Sequence, residues 1–189
     1  MFLLFFLFFV PFTVGQLTAQ QLKEKCPQDP NFCANKVAQG ECFGSSLKAG
    51  ALQRKCRCSC DVIHHERIQQ CCLTVGEQEM KFCLPLCRYN TTSEELGSTL
   101  GIKCLSQLTT WAYCAADATD RTDCCLSKGV PQECASFCKG DVPTCDTQAI
   151  LSYQPCIQHM STIISCQRQG LTAKPRYDPN WSSECEWQG

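Results

Sequence analysis

No familiar catalytic spacing stands anywhere in this 189-residue chain. A GxSxG elbow, an HExxH helix, a phosphate-binding glycine loop and a dinucleotide fingerprint are all missing, so no catalytic residue and no cofactor is expected. No C-x-x-C pair occurs, which argues against a thioredoxin-like oxidoreductase. Histidine is scarce, at three residues. Adjacent side chains on a helix project about 100° apart, so His64 and His65 share no metal face with Glu66 and read as polar helix surface. His159, beside Met160, also reads as surface, and no metal site is expected. Net charge is scarce as well: 17 Lys and Arg against 18 Asp and Glu leave −1, without a basic stripe, which excludes nucleic acid as a partner. Long apolar runs are limited to the eleven residues Phe2–Phe12. A spanning helix needs about 20, so no membrane span is expected. The C-terminal CEWQG offers no apolar tail for a lipid anchor.

What remains is cysteine and a leader. The Phe2–Phe12 run ends in Thr13-Val14-Gly15, which suits signal peptidase, so residues 1–15 read as a secretory signal, with cleavage after Ala19 as the alternative. Twenty cysteines in the 189 − 15 = 174 residues that follow imply up to ten disulfides formed in the secretory pathway, each contributing about 2–4 kcal/mol. The protein is therefore expected to be secreted and extracellular. Cys56-x-Cys58-x-Cys60 has the local look of a metal thiolate site, but most of the other cysteines fall at helix-turn spacings, which favours bridges.

The cysteines repeat. Cys71-Cys72, Cys83-x-x-x-Cys87 and the pair Cys104/Cys114 match Cys124-Cys125, Cys134-x-x-x-Cys138 and Cys156/Cys166, a duplicated six-cysteine unit. Residues four apart on a helix lie on one face, about 5–6 Å between Cβ atoms, so Cys83 and Cys87 reach a neighbouring helix together, as do Cys134 and Cys138. Cys71 and Cys72 point to different partners, because a bridge between neighbours is strained. The spacing leaves the pairing itself open. Cys145 and Cys185 stand outside the repeat and restore an even count, which predicts a Cys145–Cys185 bridge across the last helix.

Helical signals accompany the repeat. Asp61 is expected to cap a helix that buries Ile63, Ile68, Cys71 and Cys72 and stops at Gly76. Phe82, Leu86 and Cys83/Cys87 are expected on one face, with Pro85 bending it. Lys128-Gly129-Val130-Pro131 is a helix stop, and the next helix runs through Cys134, Phe137 and Cys138 to Gly140. Ile150, Tyr153, Ile157, Met160 and Ile164 form a stripe, broken at Pro155, with the main helix over about 155–168; the stripe reads as core. Asn90-Thr91-Thr92 is a glycosylation sequon in a polar loop, with Thr92-x-x-Glu95 as a capping box. Asn180-Trp181-Ser182 is a second sequon, in a tail without helical period.

The chain thus divides into residues 1–15 (signal), 16–60 (a six-cysteine segment with Cys26, Cys33, Cys42, Cys56, Cys58 and Cys60), 61–170 (helical disulfide module) and 171–189 (extended tail). Glycine and proline in the first segment predict sparse regular structure, closed by three bridges of its own. The segment resembles the ShK-like six-cysteine module of nematode secreted proteins, with Asp29 after the first cysteine and Gly40 before the third. No Tyr lies between Cys26 and Cys60, so channel block is not carried over. The paired CC and CxxxC pattern of residues 61–170, with Gly129-Val130-Pro131, resembles the DB module, a nematode extracellular domain found alone or beside immunoglobulin and fibronectin type III domains. That resemblance implies an extracellular interaction role and no catalytic residues. The expected fold is all-α: a small disulfide-rich module of two half-repeats preceded by an irregular cysteine-rich segment. Two functions compete. One is a secreted, non-catalytic binding module for an extracellular protein or matrix partner. The alternative is an extracellular carrier of a small apolar ligand such as a lipid, which would require an enclosed apolar cavity of about 300 Å³ or more.

Overall fold

A computed structural model describes residues 17–76, 78–143 and 147–183. The helices run α1 Ala19–Lys25, α2 Cys33–Ala38, α3 Leu47–Lys55, α4 Arg57–Val75, α5 Gln78–Cys83, α6 Ser93–Leu96, α7 Thr99–Lys103, α8 Leu108–Ala116, α9 Thr122–Ser127, α10 Ala135–Lys139, α11 Thr147–Ser152 and α12 Met160–Gly170. Short 3-10 turns lie at Leu84–Leu86, Leu105–Gln107, Gln132–Cys134 and Gln154–His159. No β-strand occurs among the described residues.

The first segment holds more helix than its glycines and prolines suggest. Thr18 and Gln21 form a capping box on α1, and the Ser46 hydroxyl accepts from Ala49 N–H to start α3. These helices are short and marginal alone. Bridges Cys26–Cys58, Cys33–Cys56 and Cys42–Cys60 hold them around a core of Leu22, Val37, Leu52 and Ile63.

Asp61 is not a cap. Helix α4 begins four residues earlier, at Arg57, and Asp61 lies inside it. The cap comes from far away in sequence: Asp29 Oδ2 accepts from Ser59 N–H at 2.8 Å and from Ser59 Oγ–H at 2.7 Å. A carboxylate there satisfies an orphan first-turn donor and meets the positive end of the helix dipole. At 19 residues, α4 spans about 28 Å. Its first half gives Cys60 and Ile63 to one core, and its second half gives Ile68, Cys71 and Cys72 to another.

That second core is the doubled unit. Each copy has a CC helix, a CxxxC element and a 3-10 turn leading into a final helix. The bridges repeat with it: Cys71–Cys114, Cys72–Cys87 and Cys83–Cys104 in the first copy, Cys124–Cys166, Cys125–Cys138 and Cys134–Cys156 in the second. Helix α8 is the axis, packed against α4, α10 and α12. Its Ala112, Ala115 and Ala116 are buried and small enough for close approach, and Gly140 sits against Ala116. Trp111 Nε1–H donates to the Leu86 carbonyl and Thr109 Oγ1–H to that of Val142, so these two buried donors of α8 are paired.

Several expectations shift. Phe82 is 59 % exposed, and Met80 takes its place inside. The break at Pro155 is a 3-10 turn, with the main helix starting at Met160. The tail is a strap. Arg67 donates to the carbonyls of Thr172 and Ala173 at 3.0 and 2.8 Å, Asp117 accepts from Arg176 N–H, and Trp181 stacks on Tyr113 with centroids 4.1 Å apart. Cys145 and Cys185, and hence their expected bridge, lie outside the described residues, as does the leader 1–15.

Candidate partner-binding cleft

A half-open cleft of about 940 Å³ lies where the first segment meets the doubled unit. Three pieces of chain wall it. One is the run Gly44 to Arg57, with Ser46, Arg54 and Arg57. The second is one face of α12, where Met160, Ile164 and Arg168 recur at four-residue steps beside Ser161 and Ser165. The third is the turn Tyr89 to Ser93. The stripe read as core is therefore partly a wall: Met160 and Ile164 are buried in the fold, and with Ile157 they also line the cleft.

Arg168 is fixed from two sides. Its Nη2 donates to Asp61 Oδ1 at 2.5 Å and lies 3.2 Å from His64 Nδ1. His64 is buried, contrary to the surface reading, with Phe43 tilted against it at 5.3 Å. Burial, and then the Arg168 guanidinium, hold it down at about 3, so its neutral ring accepts from the guanidinium. Arg54 and Arg57 are exposed, and no acidic partner is seen for either among the described residues. Three arginines thus face one aspartate in a chain of net charge −1, a local bias towards acidic partners.

The third wall is rigid. The Tyr89 hydroxyl donates to the Ala115 carbonyl at 2.8 Å, and burial pushes its pKa up. The Thr91 hydroxyl donates to the Leu86 carbonyl, and the expected Thr92–Glu95 capping box is formed. The Glu95 carboxyl is held below its ordinary range by the Thr92 N–H and by Arg88, with which it pairs. Asn90 stands exposed on that turn, at the cleft. Asn180, the other sequon residue, is exposed on the strap, its Nδ2 donating to Asp178 at 3.3 Å.

An apolar pocket does exist, under Trp111, Leu108 and Leu96, but it holds about 40 Å³. Cys56, Cys58 and Cys60 each bridge to a different earlier cysteine, and no group of three metal-ligating side chains occurs among the described residues. Sequence reasoning missed Arg54, Arg57, Asp61 and Arg168 as a group. Arg54, Arg57 and Asp61 fall within eight residues, but Arg168 lies more than a hundred residues farther on, and no local pattern joins it to them.

The twelve repeat cysteines, bridged twice in the same order, coincide with a family model: the DB module matches residues 71–167. This chain belongs to the DB module family. Two curated relatives, Ig-like and fibronectin type-III domain-containing proteins 1 and 2 of Caenorhabditis elegans, are each 31% identical over 77 residues. The aligned stretch is 41% of this chain and 7% and 5% of those proteins, so it corresponds to a small part of either. No solved structure matches. The matched residues supply the Asn90 turn and α12 up to Gln167 to the cleft, while Gly44 to Arg57, Asp61 and Arg168 lie outside them. The cleft is thus a composite, completed by this chain's own first segment.

Proposed function

We propose that this chain is a secreted, non-catalytic extracellular module that recognises a protein or matrix partner through the composite cleft. Residues 1–15 serve as the secretory signal, 16–60 and 61–170 as two disulfide-closed units, and 171–189 as a tail, of which the described part, to residue 183, straps over the second. Asn90 and Asn180 are its glycan acceptors. The observation that carries the reading is the contrast of volumes. The open, mixed-polarity cleft of about 940 Å³ suits a macromolecular surface, whereas the apolar pocket of about 40 Å³ falls far below what a lipid carrier needs. The density of disulfides and the DB module support an extracellular setting, since such bridges persist in oxidising compartments. The C. elegans relatives are named for Ig-like and fibronectin type-III domains, which suits an interaction role.

The test is a screen of the full chain, secreted from eukaryotic cells, against arrays of extracellular proteins, matrix components and lipids. A protein or matrix ligand whose binding weakens at least tenfold in R54E/R57E is the expected result, about 1.4 kcal/mol. Binding confined to lipids would transfer the assignment to the carrier alternative.

A further inference from the structure

The Asn90 sequon stands on the wall of the cleft. We infer that the glycan carried by Asn90 lies across this cleft and regulates access to it, so that glycoforms differ in the surface they offer a partner. The inference rests on the secretory routing proposed above.

In that route an oligosaccharide passes from a polyprenyl pyrophosphate donor to Asn90 Nδ2. The C1–N bond forms, the C1–O bond to pyrophosphate breaks, and the amide gives up one proton as the pyrophosphate leaves. The acceptor geometry is open: Asn90 is exposed, and the capped turn that follows it aims its neighbours rather than its own side chain into the fold. Asn180 differs, because its Nδ2 is engaged by Asp178 and the Trp181 beside it is stacked on Tyr113.

The opposite walls have the chemistry that sugars meet well. Hydroxyls and amides of Ser46, Gln53, Ser161 and Ser165 can pair with sugar hydroxyls, while the alkyl edges of Ile157 and Ile164 suit the C–H faces of the rings. A cleft of about 940 Å³ is at the upper end of the size that encloses a ligand of a few rings. Tethering settles whether weak contacts suffice. A short covalent link gives an effective concentration of order mM, so sugar–wall contacts of only mM strength keep the cleft covered for much of the time.

The experiment labels the secreted, oxidised full chain with an arginine-directed dicarbonyl and reads each site by mass spectrometry. Arg54 and Arg57 report on the cleft, and Arg176, exposed on the strap away from it, is the internal standard. Labelling of Arg54 and Arg57 relative to Arg176 is expected to be several-fold slower in the Asn90-glycosylated protein than in N90Q. T92S, which keeps both the sequon and the capping hydroxyl, is expected to stay slow. Equal ratios in glycosylated protein and N90Q overturn the inference, as does a secreted protein with Asn90 unmodified, and both leave the partner-binding reading standing. Failure of the chain to reach the medium instead rejects the routing itself, and the inference with it.

Discussion

Gly140 and Gly129 separate two costs that a glycine usually hides together. Both lie in the left-handed region, at φ +75° and +82°. A Cβ at Gly129 meets nothing within 4 Å, whereas one at Gly140 falls 2.5 Å from Ala116 Cβ and 3.0 Å from the Ala112 carbonyl. G129A is therefore expected to lose only the backbone term, about 1–2 kcal/mol. G140A carries that term plus overpacking against α8, about 1–3 kcal/mol more. Thermal unfolding of the non-reduced variants reads the difference, and equal losses would show that α8 moves aside freely. His64 sets a pH dependence. Its folded pKa lies below the unfolded value, so its contribution is complete above pH about 6.5. As pH falls towards about 3 the unfolded chain takes up a proton that the buried ring refuses, and stability declines by a few kcal/mol across that window. His65, lowered by burial first, acts in the same direction. In H64F the decline between pH 6.5 and 3 is expected to be much shallower; an unchanged slope would place the acid sensitivity elsewhere.

At the scale of elements, the strap shows what holds a segment with no periodicity of its own. Arg67, on α4, donates to two strap carbonyls, approaches Asp117 Oδ2 at 3.4 Å and lies over the Phe43 ring. Asp117 itself is in the left-handed region at the end of α8, and burial raises its carboxyl. Removing the guanidinium would leave that acid buried beside only backbone donors. R67M, which keeps the aliphatic stem, is expected to cost about 3–5 kcal/mol and to speed hydrogen exchange at the Arg176 amide, which now donates to Asp117; slow exchange there would mean that the strap is held by the Trp181–Tyr113 stack instead. None of this was legible in the sequence, since Arg67 and Asp117 lie fifty residues apart and their strap partners farther still. The same holds for α4, whose true cap, Asp29, reaches it across 30 residues while Asp61 offered a false local one. His64 reads as surface until Phe43 and Arg168 are set beside it. What could be read was whatever repeats or caps locally: the doubled cysteine pattern, the Gly129 and Gly140 stops, and the Thr92–Glu95 box. The cleft could not, because its walls are three separate stretches that meet only once both units have folded.

Taken whole, the molecule is two sulfur-closed bodies on one helix. Among the described residues three bridges lie within 26–60 and six within 71–166, and none crosses from one set to the other. Since all six cysteines of the first set are paired among themselves, Cys145 and Cys185 have no partner available there. Peptide mapping of the non-reduced protein is therefore expected to give no linked pair that spans Arg67. One linked pair joining a cysteine at or before 60 to one at or after 71 would refute the two-body arrangement. Its consequence is mechanical: with no disulfide across the junction among the described residues, the α4 backbone, the Arg67 and Phe43 contacts and the Arg168–Asp61–His64 group help keep the cleft walls in register. Glu66 sits on α4 between the residues given to the two cores. A proline there removes a helix hydrogen bond and clashes with the preceding turn, at about 3 kcal/mol or more, while leaving every bridge intact. E66P is thus expected to unfold in two calorimetric transitions, against one expected for the native chain, and to lose partner binding although each body stays folded. A single transition in E66P would mean that the contacts across the cleft, and not the helix, hold the two bodies together.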